Sequence, residues 1–129
     1  MTPNAHTDVR VLVVEDDRIA RESLTLILRQ MGLEAAGAAT LEQAMIQLKH
    51  SFDIVCLDLM LPDGNGVELL RHIRKQRLST RCAVISGANE PNMLADVTDL
   101  KPEAIFGKPL DLDDFSAWLR EQGVVMAEV

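Results

Sequence analysis

Two short segments, Val11-Leu12-Val13-Val14 and Ile54-Val55-Cys56-Leu57, are apolar at every position. A strand with one wet face alternates polar and apolar residues. A strand without alternation is covered on both faces, as in a parallel sheet sandwiched between helices. These two segments therefore belong at the centre of such a sheet. The rest of the chain repeats one unit: a short apolar run, a polar turn, then a helical pattern. The runs are Val11–Val14, Leu33–Ala38, Asp53–Leu57, Cys82–Ile85 and Ala104–Phe106. The second is poor in β-branched residues and suits an edge. Helical patterns fall at Arg18–Met31, Thr40–Lys49, Gly66–Arg77, Glu90–Leu100 and Asp111–Glu121. Gly32 and Gly123 stand where helices stop, Thr40 with Gln43 forms a capping-box pattern, and Asp111 is placed to cap the last helix. Strands alternating with helices predict an α/β fold: a doubly wound five-stranded parallel sheet with helices on both faces.

A length of 129 residues fits one domain able to bury a core without disulfides or a structural metal. The net charge of −7 excludes nucleic-acid binding by bulk electrostatics. Most of that charge lies late in the chain. Residues 1–81 hold eleven acids and ten bases, and residues 82–129 hold nine acids and three bases. The longest uncharged stretch, Cys82–Asn89, is far short of a membrane span, and the N-terminus has no apolar core of a secretory signal. Cys56 and Cys82 lie inside apolar runs and read as buried thiols in a reducing, cytoplasmic compartment. Arg71, Arg74, Lys75, Arg77 and Arg81 read as a solvated helix face. His6, His50 and His72 show no metal-ligand spacing and read as surface residues.

In a parallel α/β sheet the strand ends share one rim, and ligands bind there. The residues just past the runs are Glu15, Asp16 and Asp17, then Asp58, then Ser86, then Lys108 followed by Pro109. Taken singly, each has a plainer reading: a helix cap, two turn residues and a surface lysine. Together they place carboxylates, a hydroxyl and an ammonium on one rim. Clustered carboxylates repel unless a cation intervenes, and such a cluster suits Mg²⁺, which joins carboxylates to a phosphate. An aspartate beside that ion can act as a nucleophile toward phosphorus.

The segments VLVVEDDRIAR, DIVCLDLMLPDGNGVELLRHIR, AVISGA and FGKPL resemble the receiver domain of bacterial two-component response regulators. The likeness covers residues 9–122, with residues 1–8 an N-terminal extension and 123–129 a C-terminal tail. It implies a flavodoxin-like three-layer sandwich with strand order 2-1-3-4-5. It implies that Asp58 accepts a phosphoryl group from phosphohistidine. Mg²⁺, or Mn²⁺ in its place, would be held by Asp16, by Glu15 largely through water, by Asp58 and by the backbone carbonyl of Met60. Ser86 would follow the phosphoryl oxygen and Lys108 would pair with it. Asp17 is left as a helix N-terminal residue. Lys108–Pro109 is often cis in this family.

The resemblance also implies a histidine kinase or histidine phosphotransfer domain as donor, and a downstream protein as target. No direct nucleic-acid contact and no membrane insertion are expected. If the chain is complete, the few residues after Gly123 leave output to protein contacts. A homodimer would use the face from the fourth to the fifth helix. The family's switch aromatic stands three residues before the lysine; here that residue is Ile105, and Phe106 should face the other way. Met60 and Ala88 stand where the family contacts the attacking water, and neither side chain orients water well, so a long-lived phosphoaspartate is expected. Two rivals differ in class. One is a non-switching receiver-fold interaction module, favoured by Ile105. The other is an aspartate-nucleophile phosphatase, disfavoured because Met60 stands where a second Asp would act as general acid. The chain is expected not to be a conventional enzyme, only to promote its own aspartyl phosphorylation and dephosphorylation.

Overall fold

The computed structural model describes residues 9–87 and 96–127. The elements run β1 (Arg10–Val14), α1 (Arg18–Gln30), β2 (Glu34–Ala38), α2 (Leu41–Gln47), β3 (Ile54–Asp58), β4 (Met60–Leu61), β5 (Gly64–Asn65), α3 (Val67–Lys75) and β6 (Arg81–Ser86). A helical stretch at 96–99 (α4), β7 (Ala104–Gly107) and α5 (Leu112–Glu121) complete them. The sheet order is β2-β1-β3-β6-β7, and every pairing in it is parallel. This is the 2-1-3-4-5 order, because β4 and β5 form a separate antiparallel hairpin. Sequence periodicity gives no sign of that hairpin: two-residue strands are too short to show a pattern.

Alternation along the strands sorts the core into two layers. Val11, Val13, Ile54, Cys56, Ala83 and Ile85 pack with Leu28 of α1 and with Phe115, Trp118 and Leu119 of α5. Leu12, Val14, Val55, Leu57, Cys82 and Val84 pack with Ala44 of α2, with Leu69, Leu70 and Ile73 of α3, and with Val97 of α4. β1 and β3 are central and their apolar runs are buried, whereas β2 at the edge keeps Glu34 and Gly37 exposed. Both cysteines are free and buried.

The helix ends follow their capping residues. Asp17 accepts from the Ile19 N–H, Thr40 from the Gln43 N–H, and Asp111 from the N–H groups of Asp113 and Asp114. Gln43 reaches back to the N–H of Ala39, one residue before the cap. Gly32 takes φ 91°, the left-handed conformation that closes α1. α2 stops at Gln47, two residues short of the expected Lys49. Of the expected helix Glu90–Leu100, residues 90–95 lie outside the described residues, as do Ala88 and His6.

The basic run divides. Arg71 pairs with Glu68 on the solvated face, as expected. Arg74 instead donates to the carbonyls of Leu100 and Lys101 and to the Glu103 carboxylate, whose Oε1 also accepts from the Cys82 N–H. Arg81 donates to the Gln122 carbonyl. These two are tethers between elements, not free surface charges.

Gly66 begins α3 against the end of β3. Its φ of −57° needs no glycine, but its position does. A Cβ there would fall inside contact distance of the Asp58 carbonyl oxygen and 3.0 Å from Leu59 Cα. The backbone at the other side of this contact cannot yield cheaply. Gly66→Ala is therefore expected to destabilise the fold by about 1–3 kcal/mol, read from the shift in urea midpoint. An unchanged midpoint would show that α3 moves away freely.

Candidate functional site

The site forms where four strands, β1, β3, β6 and β7, end. The Glu15 N–H donates to the Ala38 carbonyl at 3.0 Å, which fixes the first residue past β1 beside the end of β2. Asp58 is the last residue of β3 and lies opposite Ile85 in the register, so Ser86 stands one place further along the same rim. The Lys108 N–H donates to the Ser86 carbonyl at 2.9 Å, which sets the start of the lysine's side chain at that rim. The Lys108–Pro109 peptide is cis.

Asp58 is only 4% exposed, yet both its oxygens are engaged. Oδ2 lies 3.1 Å from the Lys108 ammonium, and Oδ1 accepts from the Met60 N–H at 3.2 Å. The same ammonium lies 3.3 Å from Glu15 Oε1, and Glu15 Oε2 accepts from the Asp17 N–H at 3.0 Å. Partial burial by itself would lower the Lys108 pKa. The hydrogen bond and charge of Asp58, with Glu15 adding to them, outweigh that and hold it above the ordinary lysine range. Carboxylate oxygens of Glu15, Asp16 and Asp58 lie within 4.8 Å of one another. Asp16 is exposed, so the cluster opens to solvent on that side. Three hard oxygen donors in such a group match the ligand preference of a small divalent cation. Ser86 is buried, and its hydroxyl donates to the Gly87 carbonyl at 3.2 Å.

A mostly apolar cavity of about 310 Å³ extends from Asp58 and Lys108 back between α1 and the loop entering α5, lined by Leu24, Ile27, Cys56, Ile85 and Leu110 among others. Burial pushes the Cys56 thiol up to about 12, so it stays protonated and inert beside the acidic site. Strand alternation separates Ile105 from Phe106 as expected. Ile105 is 46% exposed, while the Phe106 ring packs edge-on to Phe115 at 5.6 Å and to Trp118 at 6.0 Å.

Two contributors escaped the sequence reading. Arg21 of α1 donates to the backbone carbonyls of Glu15 and Asp16. Asp63, in the turn of the β4–β5 hairpin, accepts from the N–H groups of Leu41 and Glu42 at 2.7 and 2.9 Å. Those bonds, the one from Glu42 first, hold its carboxyl below the usual carboxylate range. They tie the segment just past Asp58 to the start of α2. Asp63 reads locally as an ordinary turn residue, because its partners come from an earlier helix.

A family model described as "Response regulator receiver domain" matches residues 11–120. The PhoB phosphate regulon regulator of Escherichia coli is 32% identical over 77 residues, 59% of this chain and 34% of that protein. The KdpE KDP operon regulator of E. coli is 31% identical over 111 residues, 85% of this chain and 49% of that protein. The chain thus spans a third to a half of these curated relatives. A CheY-like receiver domain protein from Methanospirillum hungatei superposes with a TM-score of 0.83 at 26% identity, over 90% of this chain and 94% of that one. A receiver protein from Pseudomonas putida gives 0.82 at 30% identity, over 89% and 98%. The fold is that of the two-component signalling receivers, which are switches and not conventional enzymes. The chain belongs to the response regulator receiver domain family.

The pairing of Lys108 carries a pH signature. A lysine whose folded pKa is raised above the ordinary lysine value of 10.5 contributes stability fully below that value and loses it as pH climbs through the folded pKa. Lys108→Met is expected to be less stable than the parent at neutral pH, with the gap closing above about pH 10.5. Paired denaturation curves from pH 7 to 11 check this. A gap independent of pH would mean that the loss comes from packing.

Proposed function

We propose that the protein is a phosphorylation-dependent switch in which Asp58 accepts a phosphoryl group from a phosphohistidine. The observation that carries this reading is the cluster of Glu15, Asp16 and Asp58 carboxylates with the Lys108 ammonium set against Asp58. Glu15, Asp16, Asp58 and the Met60 carbonyl are the residues that would hold Mg²⁺, with Mn²⁺ as a substitute. Such an ion, when bound, neutralises charge on phosphoryl oxygens. An Asp58 oxygen attacks phosphorus, a P–O bond forms, and the P–N bond to the donor breaks with its electron pair kept on nitrogen; with the other ring nitrogen protonated, the donor leaves as neutral imidazole. Lys108, paired with Asp58 at rest, turns its charge to the phosphoryl group. Ser86 supplies a hydroxyl to the same group.

The donor is a histidine kinase or a histidine phosphotransfer domain, and the output is contact with a downstream protein. The face from α4 to α5 is the surface for that contact, or for a homodimer. The free, buried cysteines suit a cytoplasmic setting. A second reading, an interaction module that keeps the fold without switching, rests on Ile105 and on the confinement of Phe106 among Phe115 and Trp118.

Incubation with acetyl phosphate and Mg²⁺ is expected to add one phosphoryl group by intact mass, absent in Asp58→Asn and without Mg²⁺. No mass gain with any phosphodonor sinks the proposal. The phosphoaspartate is expected to outlast seconds, since the exposed Met60 side chain cannot orient a water; decay of the mass peak measures it. Partner affinity with and without beryllofluoride separates the two readings: a switch changes affinity, and a constitutive module does not.

A further inference from the structure

The first turn of a helix favours acids, because the N–H groups there carry partial positive charge. The first turn of α1 has none. Arg21 stands at its end instead and turns back toward the residues before the helix. One guanidinium nitrogen, Nη1, donates to the Glu15 carbonyl at 2.9 Å and to the Asp16 carbonyl at 3.3 Å. Both bonds go to main-chain oxygens and leave the carboxylates of Glu15 and Asp16 to the site. The Arg21 stem lies against Gly37 of β2. A Cβ at Gly37 would come 3.0 Å from Arg21 Cδ and 3.1 Å from Cγ, tighter than most real contacts, so the arginine stem would have to shift. Gly37 has an ordinary strand conformation, so what it supplies is room for the arginine.

We infer that Arg21 is a positioning residue for divalent-cation binding, seated in a slot that Gly37 leaves open. This rests on the proposed Mg²⁺ site. Arg21 fixes the two carbonyls and thereby the backbone from which the Glu15 and Asp16 side chains depart. Groups that orient metal ligands from behind change affinity without touching the ion. The sign of the effect separates positioning from charge. Arg21 is a cation close to an acidic cluster. If it acted only through its charge, removing it would tighten Mg²⁺ binding. If it positions the ligands, removing it weakens binding despite the gain in negative potential.

The test is calorimetric titration of Mg²⁺ into the full chain at fixed ionic strength, with thermal unfolding in the absence of the ion as a fold control. Arg21→Met is expected to weaken binding about tenfold. Arg21→Lys, which keeps one donor on a flexible stem, is expected to fall between. Gly37→Ala, which keeps Arg21 and the acids in the sequence but crowds the arginine's slot, is expected to weaken binding less than Arg21→Met. Combined with Arg21→Met it should add nothing, because both changes act through the same side chain. Unchanged or tighter Mg²⁺ binding in Arg21→Met overturns the inference while leaving the metal site standing. Independent, multiplying effects of the two substitutions overturn the role of Gly37. A parent protein that binds no Mg²⁺ overturns the metal site and this inference together. Should Arg21→Met fail to fold, Gly37→Ala decides alone: Mg²⁺ affinity equal to the parent's counts against the inference.

Discussion

A carboxylate that is 4% exposed at the end of a buried strand is costly to hold unless it is paired. Lys108 supplies that pairing for Asp58, and the rest of the rim is arranged to bring the lysine there. Its backbone is held by the Ser86 carbonyl, and its ammonium is shared with Glu15. The parallel register does the long-range part. Because β1, β3, β6 and β7 all run the same way, four segments distant in sequence deliver their final residues to one edge. The site is thus a product of sheet direction, with one cation shared by two of its three neighbouring acids.

How much of this was readable in advance depends on the reach of each interaction. Strand centrality was readable from the lack of alternation in VLVV and IVCL, since burial on both faces leaves its mark within a single segment. Caps were readable at Asp17, Thr40 and Asp111, because each of these side chains bonds the first turn of the helix it precedes. The rim residues were readable because each strand end can be located from its own apolar run. Gly66, Arg21 and Asp63 were not readable. Gly66 is dictated by the backbone of Asp58 and Leu59, Arg21 by a slot on a neighbouring strand, and Asp63 by a helix start that precedes it in the chain. Arg74 and Arg81 belong with them: a basic run reads as solvated unless the carbonyls that satisfy it are known.

The β4–β5 hairpin gives the segment after Asp58 two fixed ends. One is the Met60 N–H on Asp58 itself, and the other is Asp63 on the start of α2. Gly66 then returns the chain onto the end of β3. The loop beside the candidate phosphoacceptor is thereby tied to the end of β3 at both its ends and to the start of α2 at its turn.

The aromatic group on α5 has an optical consequence. Trp118 is the single tryptophan of a chain without tyrosine, so near-ultraviolet emission comes almost wholly from one ring. That ring packs against Phe106 of the outer strand and Phe115 of its own helix, and its indole N–H finds no partner among the described residues. An indole in so dry a place emits at short wavelength, and its colour registers whether α5 stays seated on β7. The protein carries an intrinsic lamp at the seam between sheet and final helix.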